Sequence, residues 1–161
     1  MKRISLILLS AVMLLSFAGC EADNPGSREE NFSFTYNGIQ ITIGAEATRI
    51  IDALGEPKSY TEEPSCAFDG MDKTYYYGSF YLSTYPMDGK DYVYSIWFAD
   101  DSVVTGDGIR IGTAKAQVEA VYGTACFQGT NAFTKDLNGS RLTILLEDGA
   151  VSSIQYEMIL G

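Results

Sequence analysis

The sequence predicts an α+β fold, in which two tandem helix-plus-antiparallel-meander repeats share one sheet with the helices on one face. An Ile-x-Ile-Gly motif occurs at residues 41–44 and again at residues 109–112. Each copy leads into an apolar-striped segment that stops at a glycine, and β-prone runs separated by turn residues follow. A unit of about 60 residues buries little apolar surface alone. Repeat 1 (residues 32–105) and repeat 2 (residues 106–161) are therefore expected to form one compact domain.

One helix is predicted in each copy. In the first, apolar residues fall at i, i+3, i+4 and i+7 counted from Ala47, which is the spacing of one helical face. This helix is expected to end at Gly55, and Pro57 prevents its continuation. In the second copy, Thr113 is the predicted N-cap and Gly123 the predicted end.

Strands are predicted on both sides of the turn residues that follow each helix. Asn-Gly at residues 138–139 and Asp-Gly at residues 148–149 are strong hairpin signals between β-prone runs. The strands predicted in the two copies cover residues 74–77, 79–85, 91–98, 131–136, 140–146 and 150–157. A further hairpin is predicted at the front, around Asn37-Gly38, from residues 32–36 and 39–43.

The N-terminus has the composition of an export signal. Basic residues at positions 2 and 3 precede a largely apolar run at residues 4–17, and Ala18 and Gly19 are small residues before Cys20. The apolar run is shorter than the roughly 20 residues that span a bilayer. Residues 1–19 are therefore predicted to be a signal peptide that is cleaved between Gly19 and Cys20.

The segment Phe-Ala-Gly-Cys at residues 17–20 resembles a lipobox, the motif that lipoprotein signal peptidase cleaves, with Phe17 where Leu is usual. The resemblance implies that Cys20 carries diacylglycerol, whose two acyl chains suffice for stable membrane anchoring. Residues 20–31 are then the lipidated cysteine and a flexible tether. The expected location is outside the cytoplasm, lipid-anchored to a bacterial membrane. An ordinary secreted protein with an unpaired Cys20 is the alternative.

The composition excludes some classes of function. The chain has 11 basic and 21 acidic residues, and loss of residues 1–19 leaves 9 basic and 21 acidic residues, a net charge of −12. Nucleic-acid binding needs a basic surface, so no nucleic-acid partner is expected. The absence of histidine excludes Ser-His-Asp and Cys-His catalysis and histidine-rich zinc sites. We predict no catalytic residue, no cofactor and no metal, in a protein that is not an enzyme.

Two acidic segments carry weaker alternatives. The adjacent carboxylates Glu62-Glu63 and Asp100-Asp101 are compatible with glycoside hydrolysis, although solvated turns are the favoured interpretation. Asp107 joins the second pair in a glycine-containing loop, a composition that suits Ca²⁺. Its spacing does not follow the EF-hand pattern, so a polar linker between the repeats is favoured.

Two cysteines remain in the chain beyond Cys20, at Cys66 and Cys126. Outside the cytoplasm such a pair often forms a disulfide, and this is one expectation here. Two separate buried thiols are the other expectation, because spacing in sequence does not establish proximity in the fold.

Residues 39–157 resemble a known group of proteins. The Ile-x-Ile-Gly motif, the helix that ends at Leu54-Gly55 with Pro57 next but one, and the meander that follows are similar to the SmpA/OmlA (BamE) small lipoproteins. They are similar also to the tandem-repeat β-lactamase inhibitory proteins, which share that fold. The resemblance implies a binding protein rather than a catalyst. Because this chain has two copies where BamE-type proteins have one, their assembly role is not carried over.

Aromatic residues are concentrated between residues 75 and 98, where ten occur. Alternation over the last predicted strand of repeat 1 places Tyr94 on one face and Val93 and Trp97 on the other. Trp97 is predicted to lie on the open face of the sheet, with Tyr81 and Tyr85 as further members of a binding face. Tight packing of the sheet is the alternative explanation of the aromatic residues.

The function expected from the sequence is that of a membrane-anchored extracytoplasmic lipoprotein acting as a non-catalytic protein-binding module. Its expected partners are the membrane, through the lipid on Cys20, and a protein of the cell envelope. A carboxylate-based extracytoplasmic enzyme or a glycan-binding protein is the alternative.

Overall fold

The computed structural model describes residues 31–160. The predicted signal peptide, its cleavage site between Gly19 and Cys20, the lipidation at Cys20 and all but the last residue of the predicted tether lie outside these residues. That last residue, Asn31, is joined to the fold, because its Nδ2 donates a hydrogen bond to the Ile43 carbonyl oxygen at 2.9 Å.

The described chain contains two short helices and nine strands. The elements are β1 Ser33–Tyr36, β2 Ile39–Thr42, α1 Thr48–Leu54, β3 Ser59–Pro64, β4 Met71–Tyr76, β5 Phe80–Met87, β6 Lys90–Phe98, α2 Lys115–Tyr122, β7 Ala132–Leu137, β8 Ser140–Glu147 and β9 Ala150–Met158. The strands account for most of the ordered backbone.

Seven of these strands form one antiparallel sheet, in the order β3-β4-β5-β6-β9-β8-β7. The part of the sheet that comes from residues 59–98 meets the part from residues 132–158 where β6 pairs with β9, with Ile96 opposite Tyr156. The other two strands, β1 and β2, form a separate hairpin in which Phe34 lies opposite Ile41. Strands β3 and β7 are consequently the two edges of the large sheet.

The predicted fold class, an α+β arrangement of helix-plus-meander repeats, is wrong, because the described chain is mostly β. Helix α1 has 7 residues and α2 has 8, so each makes about two turns. Gly55, which has a positive φ of 75°, ends α1 after seven residues, so the helix is too short to cover the width of the sheet. Strand Ser59–Pro64 was not predicted at all, since every residue in it is exposed and no apolar alternation marks it.

One face of the large sheet is covered by the β1–β2 hairpin and the two helices. The hairpin packs the Phe34 ring against Phe80 and Phe98, at centroid distances of 5.2 and 4.9 Å. Helix α2 buries Val118 completely. The apolar side chains of β5, β6, β8 and β9 complete this core, and its fully buried members on these strands are Phe80, Leu82, Val93, Ile96, Phe98, Leu142, Ile144 and Ile154.

Both central hairpins contain a β-bulge at an equivalent place. In β5–β6 the register shift leaves Tyr94 without a cross-strand partner, and in β8–β9 it leaves Ser152 without one. A bulge adds one residue and reverses the alternation beyond it. The prediction that Val93 shares a face with Trp97 is therefore wrong, since Val93 is fully buried in the core.

The two Ile-x-Ile-Gly motifs make matching backbone hydrogen bonds to these hairpins. The Gly44 N–H donates to the Val93 carbonyl oxygen at 2.8 Å, and the Gly112 N–H donates to that of Val151 at 2.7 Å. Both glycines have positive φ values, 80° and 84°, which other residues adopt only with strain. At Gly44 an added Cβ would also lie 2.7 Å from the Met158 side chain. Each motif thus attaches the chain before a helix to the last strand of the meander that follows that helix, β6 in the first copy and β9 in the second.

Candidate binding face

One row of side chains crosses the uncovered face of the sheet from edge to edge. The strand registers align seven residues, one from each strand, and in sheet order they are Ser59, Tyr76, Tyr81, Trp97, Gln155, Thr143 and Thr134. Residues directly opposite each other in antiparallel strands have Cβ atoms about 5 Å apart, so neighbours in the row are in contact. Three consecutive positions are aromatic, and Tyr76, Tyr81 and Trp97 are called the aromatic row below.

The rings of the aromatic row pack side by side. Tyr76 and Tyr81 stack with centroids 4.5 Å apart and an interplanar angle of 22°. Tyr81 and Trp97 follow at 5.8 Å and 32°. The separation of Tyr76 and Tyr81 is close to the distance between neighbouring strands, about 4.8 Å, so these two rings lie face against face. The Trp97 ring is tilted against Tyr81 and extends the row. The result is a continuous apolar ridge on the part of this face that the loop between β3 and β4 leaves uncovered.

Trp97 is the end of the aromatic row and its most accessible member, with 52% of its surface exposed. Its indole Nε1 donates a hydrogen bond to the Ser153 hydroxyl oxygen at 3.1 Å, which orients the ring. Among the described residues, Tyr81 is the ring that contacts it. The next position in the row is Gln155, which is polar and non-aromatic. The prediction that Trp97 lies on the open face agrees with this geometry.

Carboxylates lie on the same face beyond Trp97, towards the β7 edge. Glu157 lies two residues beyond Gln155 on β9 and accepts a hydrogen bond from its Nε2 at 3.3 Å. Near the β7 edge, Asp136 accepts two hydrogen bonds from the Arg141 guanidinium, at 2.7 and 2.9 Å. These bonds hold the pKa of Asp136 below its usual value. The aromatic row therefore occupies the half of this face formed by β4, β5 and β6, and these carboxylates lie in the other half, towards the β7 edge.

Tyr85 does not join the exposed surface, so its predicted place among the exposed binding residues is wrong. It lies on the same face, further along β5, but only 6% of it is exposed. The loop between β3 and β4 folds over it, and the Phe68 ring packs on Tyr85 with centroids 4.9 Å apart. Burial raises the pKa of the Tyr85 hydroxyl. Sequence alternation does not reveal a covering loop of this kind.

Tyr76 is the member of the aromatic row that the sequence prediction missed. Residues 77–79 connect β4 to β5, and the Tyr77 N–H donates to the Phe80 carbonyl oxygen at 3.0 Å, which leaves Gly78 and Ser79 as the two central residues of the turn. A Gly-Ser pair between β-prone runs is a hairpin signal of the kind that fixes register. That signal was present in the sequence and would have placed Tyr76 opposite Tyr81.

The structure holds Cys66 and Cys126 as free thiols, so the expected disulfide is not formed. Cys66 follows β3 and Cys126 precedes β7, and these strands are opposite edges of a seven-stranded sheet. Bridged cysteines need Cα atoms within about 7 Å, whereas six inter-strand steps of about 4.8 Å separate the two edges. The alternative of two buried thiols fails also, because Cys66 is exposed.

The carboxylates of Glu62 and Glu63 do not lie together, so they do not form a catalytic pair. Glu62 lies opposite Lys73 and Glu63 opposite Asp72, so successive side chains of β3 point to opposite faces of an edge strand. The Glu62 carboxylate accepts a hydrogen bond from the Tyr60 hydroxyl at 2.5 Å. These contacts are typical of a solvated edge strand.

The loop between the two halves of the sheet uses its carboxylates for internal hydrogen bonds. Asp100 accepts from the Ser102 backbone N–H at 2.9 Å, and bonds from Ser102 hold its pKa below the usual value. Asp107 accepts from the Tyr122 hydroxyl at 2.7 Å. Within residues 31–160, no group of three or more histidine, cysteine or acidic side chains is arranged to hold a metal ion.

Comparisons with known proteins leave the family open. No family model and no curated protein matches the sequence. A solved structure of an extracellular protein containing a SCP domain, from Bacillus anthracis str. Ames, is similar over 72% of this chain with a TM-score of 0.42 and 13% identity. The match covers 44% of that protein, and a likeness this weak carries no argument. The resemblance to SmpA/OmlA lipoproteins and β-lactamase inhibitory proteins stays a prediction.

No helix in the described range 31–160 is both long enough and apolar enough to cross a membrane.

Proposed function

We propose that this protein is an exported lipoprotein, anchored to a membrane through lipid on Cys20, and that it binds another protein through the aromatic row. The observation that carries the binding proposal is the row Tyr76, Tyr81 and Trp97, which lies on an uncovered face with Trp97 52% exposed. Exposed aromatic residues, tryptophan and tyrosine above all, dominate the energetics of protein interfaces. The anchoring rests on the residues around Cys20.

The symmetry of the row supports a binding role for its aromatic half. Across the β6–β9 junction, the positions that mirror Trp97, Tyr81 and Tyr76 are Gln155, Thr143 and Thr134. These polar residues occupy the same kind of site in the same sheet, so the backbone does not require aromatic side chains there. A separate reason for the aromatic residues is needed, and contact with a partner supplies one.

The point where the chain enters the fold is compatible with an accessible open face. The Phe32 N–H donates to the Ser140 hydroxyl oxygen at 2.9 Å, and Asn31 bonds to Ile43. Ile43 is buried in the covered layer, and Ser140 is fully buried beneath the hairpin. Asn31 and Phe32 therefore lie on the covered side of the sheet, opposite the aromatic row, and they leave that row accessible to a partner.

A protein partner is favoured over a glycan by the ring geometry. Glycan platforms present ring faces to the sugar, whereas Tyr76 and Tyr81 stack at 4.5 Å and cover each other's faces. A ridge of ring edges next to the exposed indole of Trp97 suits insertion into an apolar groove of a protein surface. The same stacking leaves only the outer ring faces at the two ends of the aromatic row, those of Tyr76 and Trp97, open to a sugar.

The binding proposal is tested by pull-down from envelope extract with the chain from Glu21 to Gly161. Trp97→Ala is compared with Tyr60→Ala, since Tyr60 is a similarly exposed aromatic residue, 45% accessible, on edge strand β3. Removal of an interface anchor typically costs about 2 kcal/mol or more, roughly 30-fold in affinity. We expect Trp97→Ala to lose a partner that both Tyr60→Ala and the unaltered chain retain. A partner retained by all three, or by none, would contradict the proposal.

The anchoring proposal is tested separately with Cys20→Ala in the full chain. We expect the unaltered protein to incorporate labelled palmitate and to sediment with membranes, because two acyl chains give stable anchoring. The Cys20→Ala variant is expected to incorporate no label. Labelling of the variant, or an unaltered protein found only in soluble fractions, would overturn the anchoring without touching the binding proposal.

A further inference from the structure

A second row of side chains crosses the open face two residues from the aromatic row along each strand. On β3, β4, β5 and β6 its members are small hydroxyl residues, and in sheet order they are Thr61, Thr74, Ser83 and Ser95. On β9, β8 and β7 its members are charged, and in sheet order they are Glu157, Arg141 and Asp136. The small side chains are therefore confined to the half of the face that carries the aromatic row, and they are called the hydroxyl row below.

Aromatic rings border the hydroxyl row on its other side. Tyr85 lies two residues beyond Ser83 on β5, and the Phe68 ring packs on Tyr85 with centroids 4.9 Å apart. Tyr94 meets the Tyr85 ring edge to face, with centroids 6.4 Å apart. A cleft of about 320 Å³ lies against these rings, and Thr74 and Ser83 also line it. The hydroxyl row is thus the floor of a trough between two aromatic walls.

The trough is too narrow for an α-helix. Its two walls are four residues apart on β5, from Tyr81 to Tyr85, which is about 13 Å between backbone positions. The rings of both walls occupy part of this distance, and an α-helix with its side chains is about 10–12 Å across. An added β-strand is excluded as well, because the trough crosses the face of the sheet, where the backbones of β4, β5 and β6 pair with one another. The occupant that fits is a slim, extended segment that needs no strand pairing.

The floor of the trough contains hydrogen-bond donors. Thr74 Oγ1 and Ser83 Oγ are 3.1 Å apart and share one hydrogen bond, which uses one of their two hydroxyl hydrogens. Both residues are only half-buried, so the other hydrogen can rotate towards an occupant of the trough. A polyproline II segment has no internal hydrogen bonds, and its carbonyl oxygens are free to accept. The floor therefore suits an occupant in this conformation.

The end of the trough at β9 is acidic. Glu157 lies directly opposite Ser95 and is half-buried. Arg141 lies opposite Glu157 on β8, but its guanidinium donates to Asp136 at 2.7 and 2.9 Å. Beyond residue 19 the chain has 9 basic and 21 acidic residues, so its field attracts a basic segment and repels an acidic one.

We propose that the trough binds a proline-rich segment of the partner protein in the polyproline II conformation, with a basic residue at the Glu157 end. The pyrrolidine rings of the segment pack against the aromatic row, and its carbonyl oxygens accept hydrogen bonds from Thr74 and Ser83. Because proline fixes the backbone before binding, docking costs little conformational entropy. The surface of the partner around this segment receives the ridge itself. This inference rests on the proposed protein-binding function and specifies the chemistry of the partner.

The test uses Trp97, the only tryptophan in the chain, as a fluorescent reporter. The chain from Glu21 to Gly161, which contains every described residue, is titrated with a blocked peptide of six prolines followed by one lysine. Trp97 emission should move to shorter wavelength as the indole leaves water, with a dissociation constant of about 0.1 mM. A peptide of the same length and charge with glycine and serine in place of proline should bind at least about tenfold more weakly. Glutamate in place of the peptide lysine should weaken binding about two- to fivefold, since the charge pair is partly exposed.

Ser83→Phe is the variant that decides the proposal, because it fills the floor of the trough. Phenylalanine is favoured in strands, so the variant is expected to fold and to bind the proline peptide at least about tenfold more weakly. Thr143→Phe is the matched control, since Thr143 is half-buried on the same face in the polar half, and its affinity should be unchanged. The double change Thr74→Val and Ser83→Ala removes both hydroxyls without adding volume. It should weaken the peptide about two- to tenfold.

The outcomes separate this inference from the proposed function. No saturable change in Trp97 emission up to about 5 mM proline peptide, roughly fifty times the expected dissociation constant, would overturn the inference. Equal affinity for the proline and glycine–serine peptides, or an unchanged affinity in Ser83→Phe, would overturn it equally. If an envelope partner is lost with Trp97→Ala while no proline peptide binds, the inference fails and the proposed function stands. Saturable, Ser83-dependent binding of the proline peptide without such an envelope partner supports the trough and contradicts the proposed function.

Discussion

The two central hairpins of the sheet, β5–β6 and β8–β9, have the same backbone and different surfaces. Each contains a bulge, at Tyr94 in one and Ser152 in the other, and each receives a hydrogen bond from the glycine of an Ile-x-Ile-Gly motif. On the covered face both contribute aliphatic and aromatic side chains to one core. On the open face the first hairpin presents aromatic residues where the second presents threonine and glutamine.

The comparison distinguishes the side chains that folding requires, on the covered face, from those that it does not require, on the open face. The core positions are apolar in both hairpins because both must bury the covered face. The positions of the row on the open face are exposed or half-buried, so their side chains can differ. Cross-strand aromatic pairs contribute roughly 0.2–1 kcal/mol each, so the aromatic row adds a little stability. That contribution to stability is small compared with the contribution of the buried core. Packing therefore does not explain why an aromatic residue as exposed as Trp97 is present.

The largest expected effect compares two neighbours in β6. Ile96 is fully buried in the core and Trp97 is 52% exposed on the open face. Ile96→Ala should lower the free energy of unfolding by about 2–5 kcal/mol, because it removes buried methyl groups and leaves a cavity. Trp97→Ala should cost about 1 kcal/mol or less. Urea denaturation measures both, and a Trp97→Ala cost similar to that of Ile96→Ala would make the aromatic row a packing feature.

A second experiment moves the aromatic surface to the other hairpin. The double change Thr143→Tyr and Gln155→Trp places rings at the mirrored positions. Because the backbone and bulge are equivalent, the variant should fold with a free energy of unfolding within about 1 kcal/mol of the original. Thermal and urea denaturation provide the measurement. A loss of more than about 2 kcal/mol, beyond the usual range for surface changes, would show that the two open surfaces are not interchangeable.

A smaller effect distinguishes the two free thiols near the sheet edges. Cys66 is exposed, and Cys126 is partly buried, with a pKa raised chiefly by that burial. A raised pKa lowers the thiolate fraction at neutral pH, and the thiolate is the reactive form. Cys66 should therefore react with a maleimide at least several-fold faster than Cys126 in the folded protein. Mass spectrometry after timed labelling measures this, and failure of both thiols to react without reductant would contradict the free-thiol structure.

The smallest expected effect concerns the ion pair at the β7–β8 edge. Arg141 lowers the pKa of Asp136, so the pair favours the folded state above the ordinary carboxyl pKa, and this contribution is lost as the pH falls through the lowered value. The pair is exposed, and its contribution to stability is small. In an NMR titration, Arg141→Gln should return the pKa of Asp136 towards its ordinary value. An unchanged pKa in the variant would show that Arg141 is not the cause.

Turn chemistry and core alternation were predictable from the sequence, while the balance of helix and strand was not. Asn-Gly and Asp-Gly marked hairpins at Asn37, Asn138 and Asp148, and all have the positive φ values that such turns need. The prediction of helix-plus-meander repeats failed because apolar stripes fix the face of a helix and not its length. Strand Ser59–Pro64 was missed because it is an exposed edge strand without apolar alternation.

The candidate site was predictable in part. Trp97 was placed on the open face because its mirrored residue, Gln155, is polar, and that inference needs only the alignment of two strands. The bulge at Tyr94 was not predictable, since an extra residue in a strand does not change the amino-acid composition in a recognisable way. Because the bulge reverses the alternation of faces, Val93 was assigned to the wrong face of the sheet. Tyr85 was misplaced because its cover comes from Phe68, a loop residue 17 positions earlier in the chain.

The central claim is that the aromatic half of the open face contacts a partner and the polar half does not. It is tested most directly by photo-crosslinking in living cells, with a photoreactive phenylalanine analogue placed at Tyr81 or at the mirrored Thr143 of the full chain. We predict a discrete crosslinked protein from position 81 that is absent from position 143 and lost when Trp97→Ala is added. Equal crosslinking from the two positions, or none from position 81, would contradict the claim.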